Sequence, residues 1–282
     1  RRTSRSRSSR CRPSVRDAVL AALASRGLEW TGPIEHFEVL ASTSDTLKRR
    51  ARAGAPEFSV VTAGAQTAGR GRSGHAWASP RGNLYLSVLL RPRLTPADVV
   101  ALPLAAGVAL ADALGEHGVA PLLKWPNDVV VGERKLAGIL VEGSSGPGGL
   151  EAVIVGVGVN VALDPASLPG ELAGRVTSLH ALTGRAIAVA EVAASVLAGL
   201  RVWYDRLARD GRAHVLAAWK ARAVPWWGRL VEARSGGSVL RGTARDLDER
   251  GALVLDLEDG TRVAVVSGEI SELRLSGGGS PR

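Results

Sequence analysis

Gln66 to Asn83 reads QTAGRGRSGHAWASPRGN, and Gly69, Gly71 and Gly74 fall at G-x-G-x-x-G spacing. Such a loop can cradle a phosphate chain when a strand precedes it and a helix follows. Phe58-Ser-Val-Val-Thr62 has the β-branched character of the strand. The helix is missing: Pro80 and Gly82 come too soon, and the chain re-enters an apolar strand pattern, Leu84–Leu90. Arg70 and Arg72 also fill the spacer positions, where a dinucleotide turn offers bare backbone. The dinucleotide reading is therefore poor, and a surface loop with chance glycines is the bland one. Three more clusters share the chain: Lys124-Trp-Pro-Asn-Asp128 followed by Lys135-Leu-Ala-Gly138, Gly156-Val-Gly158-Val-Asn160, and Ser42-Thr43-Ser44. Singly these could be a turn, a solvated lysine, a bulged strand and a helix cap. Jointly they could put hydroxyls, arginines, an Asn–Asp pair and a lysine around one sheet.

The elements that would position them are legible in part. Val15, Val19, Leu20 and Leu23 recur at helical spacing after the capping signal Ser14-Val-Arg-Asp17, up to Gly27. A strand is expected over His36–Leu40 and a helix over Thr46–Ala53. A long helix opens at Thr95-Pro96 and runs to about Glu116, with a kink or break at Pro103. Pro121–Lys124, Val129–Val131, Leu136–Val141 and Ala152–Val157 read as strands, with a hairpin turn at Gly132-Glu-Arg134. Helices are expected near Val189–Leu207 and Ala213–Ala221. From Pro225 five short strands, Gly228–Ala233, Val239–Asp246, Ala252–Leu257, Arg262–Val266 and Glu269–Leu275, suggest a small β-barrel.

Bulk properties narrow the chemistry. With 282 residues and 45% apolar content, the chain can bury a sizeable core. The single cysteine, Cys11, excludes an internal disulfide and a Cys-rich zinc site. The five histidines are scattered without metal-ligand spacing. No apolar run reaches the ~20 residues of a membrane span, and no signal peptide is visible, so a cytoplasmic protein that avoids membranes is expected. The formal net charge is +9, but residues 1–16 carry seven arginines and no acid, which leaves +2 for the other 266. The body lacks a nucleic-acid footprint. The expected organisation is a basic Ser/Arg tail over 1–16, a catalytic domain over 17–224, a small domain over 225–276 and a Ser/Gly tail over 277–282.

GRGRSGHAWASPRGNLYLS, KWPNDVVVGERKLAGILVE and GVGVNV, in this order, resemble the biotin protein ligase family, and GALVLDLEDGTRVAVVSGEIS resembles its SH3-like C-terminal domain. The match runs from about Phe37 to Leu275. It implies an α+β fold: a mixed-sheet catalytic domain packed with helices, of the class II synthetase-like kind, plus the small barrel. It implies that biotin and ATP form biotinyl-5′-AMP, whose acyl group passes to a lysine of a biotin carboxyl carrier domain of acetyl-CoA or a related carboxylase. Two unit charges at ~4 Å repel by several kcal/mol at intermediate dielectric. By resemblance, Lys135, Arg70 and Arg72 offset that repulsion as the catalytic group, with Mg²⁺. The biotin site would comprise Ser42, Thr43, Ser44, Gln66, Arg70, Gly71, Arg72, Lys135 and Gly138. The nucleotide site would comprise Gly69, Arg72, Trp77, Asn127, Lys135 and Asn160, with Asp128 toward Mg²⁺ and as a candidate base for the acceptor amine. Two departures stand out: Ser44 replaces the usual Asn of Ser-Thr-Asn, and Ser73 and His75 stand where relatives are often basic. About 35 residues precede Phe37, so the ligase-only class without specific DNA binding is expected, as a monomer or weak homodimer. A lipoate or octanoyl ligase and a biotin-responsive regulator are the alternatives.

Overall fold

The computed structural model describes residues 13–146, 149–168, 170–235 and 238–272. Residues 1–12 of the expected basic tail, and the expected C-terminal tail, lie outside them. The first helix, α1 (Val15–Ser25), begins inside the span expected as tail, capped by the Ser14 side chain on Asp17 N.

The catalytic sheet has seven strands: β1 (Ile34–Phe37), β2 (Val60–Ala63), β3 (Leu84–Leu90), β4 (Leu122–Lys124), β5 (Asp128–Val131), β6 (Arg134–Gly146) and β7 (Gly149–Val159). Their spatial order is β1-β2-β3-β7-β6-β5-β4, parallel only between β1 and β2. Helix α2 (Thr43–Arg52) follows β1; α3 (Pro96–Val99) and α4 (Leu102–Gly115) precede β4; short α5 (Gly170–Ala173) and α6 (Leu179–Thr183) precede the long α7 (Val189–Asp210) and α8 (Arg212–Arg222). The expected long helix is indeed broken near Pro103, which sits in the first turn of α4, where its missing N–H costs nothing.

Strand periodicity sorts the sheet into two faces. Val60, Leu84, Leu86, Val88, Val155 and Val157 join the main core with α1, α4 and α7, while Val61, Leu89 and Ile154 pack with Leu47 of α2 on the other face. Coverage on both sides explains the near-continuous apolar run of β3. Register then aligns a row across the second face: Asp128 opposite Gly138, Gly138 opposite Gly158, Gly158 opposite Tyr85. The next row is Leu140, Gly156 and Ser87.

Helix α2 starts at Thr43, three residues before the expected start, because Ser42 is the cap: its side chain accepts from Asp45 N at 3.3 Å. The strand expected over His36–Leu40 lies over Ile34–Phe37 instead, with only an isolated bridge from Leu40 to Gln66.

The C-terminal strands β8 (Leu230–Ser235), β9 (Ser238–Leu247), β10 (Leu253–Leu257), β11 (Arg262–Val265) and β12 (Glu269–Glu272) form an antiparallel sheet in the order β11-β10-β9-β8-β12. This is the expected small five-stranded unit. Val231, Ala244, Leu253 and Leu255 fill its core. It is tied to the larger sheet through the Trp125 indole, 3% exposed, which donates to Gly251 O at 3.0 Å, between β9 and β10. Among the described residues no helix is long and apolar enough to cross a membrane.

Candidate active site

The second face of the large sheet floors a cleft of about 1190 Å³, walled by α2, the glycine loop, the Trp-Pro-Asn-Asp turn and the edge of the small sheet. It brings together every residue expected at the site except Gly69 and Asn160.

At one end the polar groups are neutral and buried. Ser42, Thr43 and Ser44 are 2–6% exposed. Thr43 occupies the first turn of α2, where its amide has no intrahelical partner; it donates to Gln66 Oε1 at 2.9 Å. Thr43 Oγ1 also donates to Gln66 Oε1 at 3.2 Å and accepts from Ser87 Oγ at 2.9 Å, and Ser87 Oγ meets Ser44 Oγ at 3.0 Å. Gln66 Nε2 donates to Ser79 Oγ at 3.0 Å, which fixes its amide orientation. Sequence reading missed Ser87, although it is the one serine in the otherwise aliphatic and aromatic run of β3. Tyr85 borders this end, and burial pushes its phenol up to about 12, so it stays neutral.

Trp77 marks the middle. A Cβ on Gly158 would lie 2.7 Å from its ring and one on Gly138 2.8 Å from it, so the indole lies on a floor of paired glycines. A Cβ on Gly156 would likewise meet Ser44 Oγ at 2.7 Å. Gly156 and Gly158 therefore mark no bulge: the β3–β7 register runs unbroken through both.

The other end is charged. Lys135 Nζ lies 2.7 Å from Asp128 Oδ1 and 5.0 Å from the Trp77 ring centroid. Its backbone is clamped, N donating to Arg175 O at 2.8 Å and O accepting from Thr177 N at 2.9 Å. Asn127 Nδ2 donates to Ile139 O at 2.7 Å, which turns Oδ1 toward Arg72 Nη1 at 3.4 Å. Arg72 is half-buried; burial lowers its pKa, opposed by the Asp128 and Glu269 carboxylates. Arg70 faces elsewhere, with Nη2 at 2.7 Å from Asp45 Oδ1 and 2.8 Å from Glu142 Oε2.

The two residues outside the cleft lining have structural partners. Gly69 is pressed between Ser79, Trp77 O and Gln66 Nε2, where no Cβ fits. Asn160 is 6% exposed, and its Nδ2 donates to Thr177 O at 2.9 Å and Lys135 O at 3.3 Å. It braces the strand that carries Lys135. After Gly71 the chain makes a single 3-10 turn, Arg72–Gly74, and continues to β3, so among the described residues no α-helix follows the glycine loop, as expected.

The model of the biotin/lipoate A/B protein ligase family matches residues 36–160, and that of the biotin protein ligase C-terminal domain matches residues 227–271. Fold and cleft thus have the form of that class of ligase. A biotin–[acetyl-CoA-carboxylase] ligase of Mycobacterium tuberculosis is 35% identical over 271 residues, covering 93% of this chain and 95% of the relative. Its namesake from Paracoccus denitrificans is 39% identical over 201 residues, covering 69% and 82%. A biotin protein ligase from Aquifex aeolicus, solved in complex with biotin and ATP, superposes with a TM-score of 0.74 at 29% identity, covering 86% of this chain and 99% of that one. The chain belongs to the biotin protein ligase family.

Proposed function

We propose that this chain condenses biotin with ATP to biotinyl-5′-AMP and pyrophosphate, then transfers the acyl group to a lysine of a biotin carboxyl carrier domain. The observation that carries this is the single cleft with a neutral hydroxyl end and a cationic end separated by Trp77. A ureido ring is neutral and rich in donors and acceptors, and suits Ser42, Thr43, Ser44 and Gln66. The valerate carboxylate and the α-phosphate are both anionic, and meet at Lys135 and Arg72. There the carboxylate oxygen attacks the α-phosphorus, the bond to the β-phosphate oxygen breaks, and pyrophosphate leaves. Fixed cations in a shielded site favour the charge that builds up at this step.

Asp128 and the Asn127 amide offer hard oxygen donors, the set with which Mg²⁺ joins one or two protein groups to phosphate oxygens. Among the described residues no cluster of three or more His, Cys, Asp or Glu could cage a metal, so the nucleotide would complete its coordination. When bound, Mg²⁺ offsets phosphate charge.

In the second step the acceptor amine attacks the acyl carbon, the bond to AMP oxygen breaks, and the nitrogen loses a proton. An ordinary lysine is only about 0.1% neutral near pH 7.4, a handicap of roughly 4 kcal/mol. Asp128, with Oδ1 2.7 Å from Lys135 Nζ, is our candidate for the carboxylate that takes that proton. The acetyl-CoA carboxylase carrier domain is the acceptor that the relatives' names indicate.

The test is exchange of labelled pyrophosphate into ATP, expected only when biotin is present, with labelling of one carrier lysine on addition of the domain. Exchange that runs on lipoate or octanoate but not on biotin would overturn the reading.

A further inference from the structure

The two arginines of the glycine loop point to different places. Arg72 reaches toward Asn127 inside the cleft, whereas Arg70 joins a cluster of alternating charge. Lys48 Nζ lies 2.6 Å from Glu142 Oε1 and 3.9 Å from Asp45 Oδ1, so two cations meet two anions. Their side chains are 22–48% exposed, partly screened from solvent. Asp45, Lys48 and Glu142 do not line the cleft. The backbone joins in: Gly71 N donates to His75 O at 2.7 Å and Arg70 pairs with Ala76, which closes the loop into a compact turn. The cluster fastens the base of that turn to α2, which carries the hydroxyl end, and to β6, which carries Lys135.

Resting on the function proposed above, we propose that Asp45, Lys48 and Glu142 are positioning residues that hold the glycine loop shut through Arg70, leaving Arg72 as the arginine that meets the ligand. An exposed ion pair alone contributes little, but a partly shielded network of four charges with short contacts contributes measurably.

The experiment uses the full chain. Glu142→Gln keeps shape and removes one anion; Asp45→Asn removes the other. Each is expected to raise hydrogen exchange of the loop amides, residues 69–77, by about 5-fold without added ligand. Each is also expected to speed release of biotinyl-AMP by about 5-fold while pyrophosphate exchange at saturating biotin stays within about twofold. High salt should speed release from the parent and have less effect on the variants. Arg70→Ala combined with Glu142→Gln should release no faster than Arg70→Ala alone. Unchanged loop exchange in both acid variants, or additive effects in the double variant, would overturn the proposal. Because the loop exchange needs no biotin or ATP, it decides the latch even where the ligase reading itself fails.

Discussion

The two ends of the cleft solve opposite problems. At the hydroxyl end the polar side chains are neutral and bonded to one another, from the buried Ser44, Ser87 and Thr43 through the half-buried Gln66 to Ser79. At the other end the ionisable side chains of Lys135, Asp128 and Arg72 remain partly exposed. A buried neutral hydroxyl costs little once hydrogen-bonded, whereas a buried charge demands a partner. On the function proposed above, an uncharged ring goes deep, and the two anions meet at the partly exposed end beside Lys135 and Arg72.

The strongest way to break this division is at the charged end. Lys135→Ala is expected to cut pyrophosphate exchange by about 10²–10³-fold, the usual loss for one preorganised charge or donor. A circular dichroism spectrum matching the parent would show the fold intact. Exchange near the parent rate would remove Lys135 from the reaction.

The boundary between the ends is tested by Gly158→Ala. Its methyl would stand 2.7 Å from the Trp77 ring, so the indole must move. We expect roughly a 10-fold or greater rise in the KM for ATP, of the order of 1–3 kcal/mol for overpacking. An unaltered KM together with unaltered Trp fluorescence would mean that the floor yields easily.

At the neutral end, Thr43→Val keeps the volume and deletes the hydroxyl shared by Ser87 and Gln66. The expected result is a rise of about 10-fold in the KM for biotin with little change in kcat, since leaving buried partners unmet costs about 1–3 kcal/mol. A fall in kcat with unchanged KM would move Thr43 to the chemical step.

The smallest effect is in pH dependence away from both ends. Burial lowers the pKa of His36 and His117 in the folded protein. The unfolded chain binds those protons from about pH 6.5 downward, so folding stability should fall as pH drops from about 7 to 5. The urea midpoint should decline less over that window in a His36→Gln, His117→Gln variant than in the parent. Equal declines would assign the trend to other groups.

Legibility followed the range of the interactions. Strand β3 matched its expected bounds because six of its seven positions are apolar or aromatic, and only Ser87 breaks the run. The break near Pro103 follows from one ring. The start of α2 was read late because Thr43 and Ser44 are weak helix formers, so the cap alone sets the boundary. Strands β6 and β7 extend beyond the expected segments, since Glu142 and Ser144 interrupt the apolar run but still pair across the hairpin, with Ile154 and Ala152. At the site, residue types announced the chemistry, while directions were hidden. Nothing local to Arg70 says that its partner stands 72 positions away at Glu142. The glycines of β7 looked like irregularity because the indole that needs their space belongs to a distant loop.

The indole of Trp125 has a consequence beyond its own turn. Its N–H finds its acceptor, Gly251 O, in a tight bend of the C-terminal sheet, and the indole itself stands two residues before Asn127 in the turn that lines the cleft. The smaller sheet is therefore masonry of the reaction chamber and no detachable appendage. Trimming the chain at Val224 would remove that acceptor, bare the indole to water and knock out a wall, so the two sheets should share one melting transition.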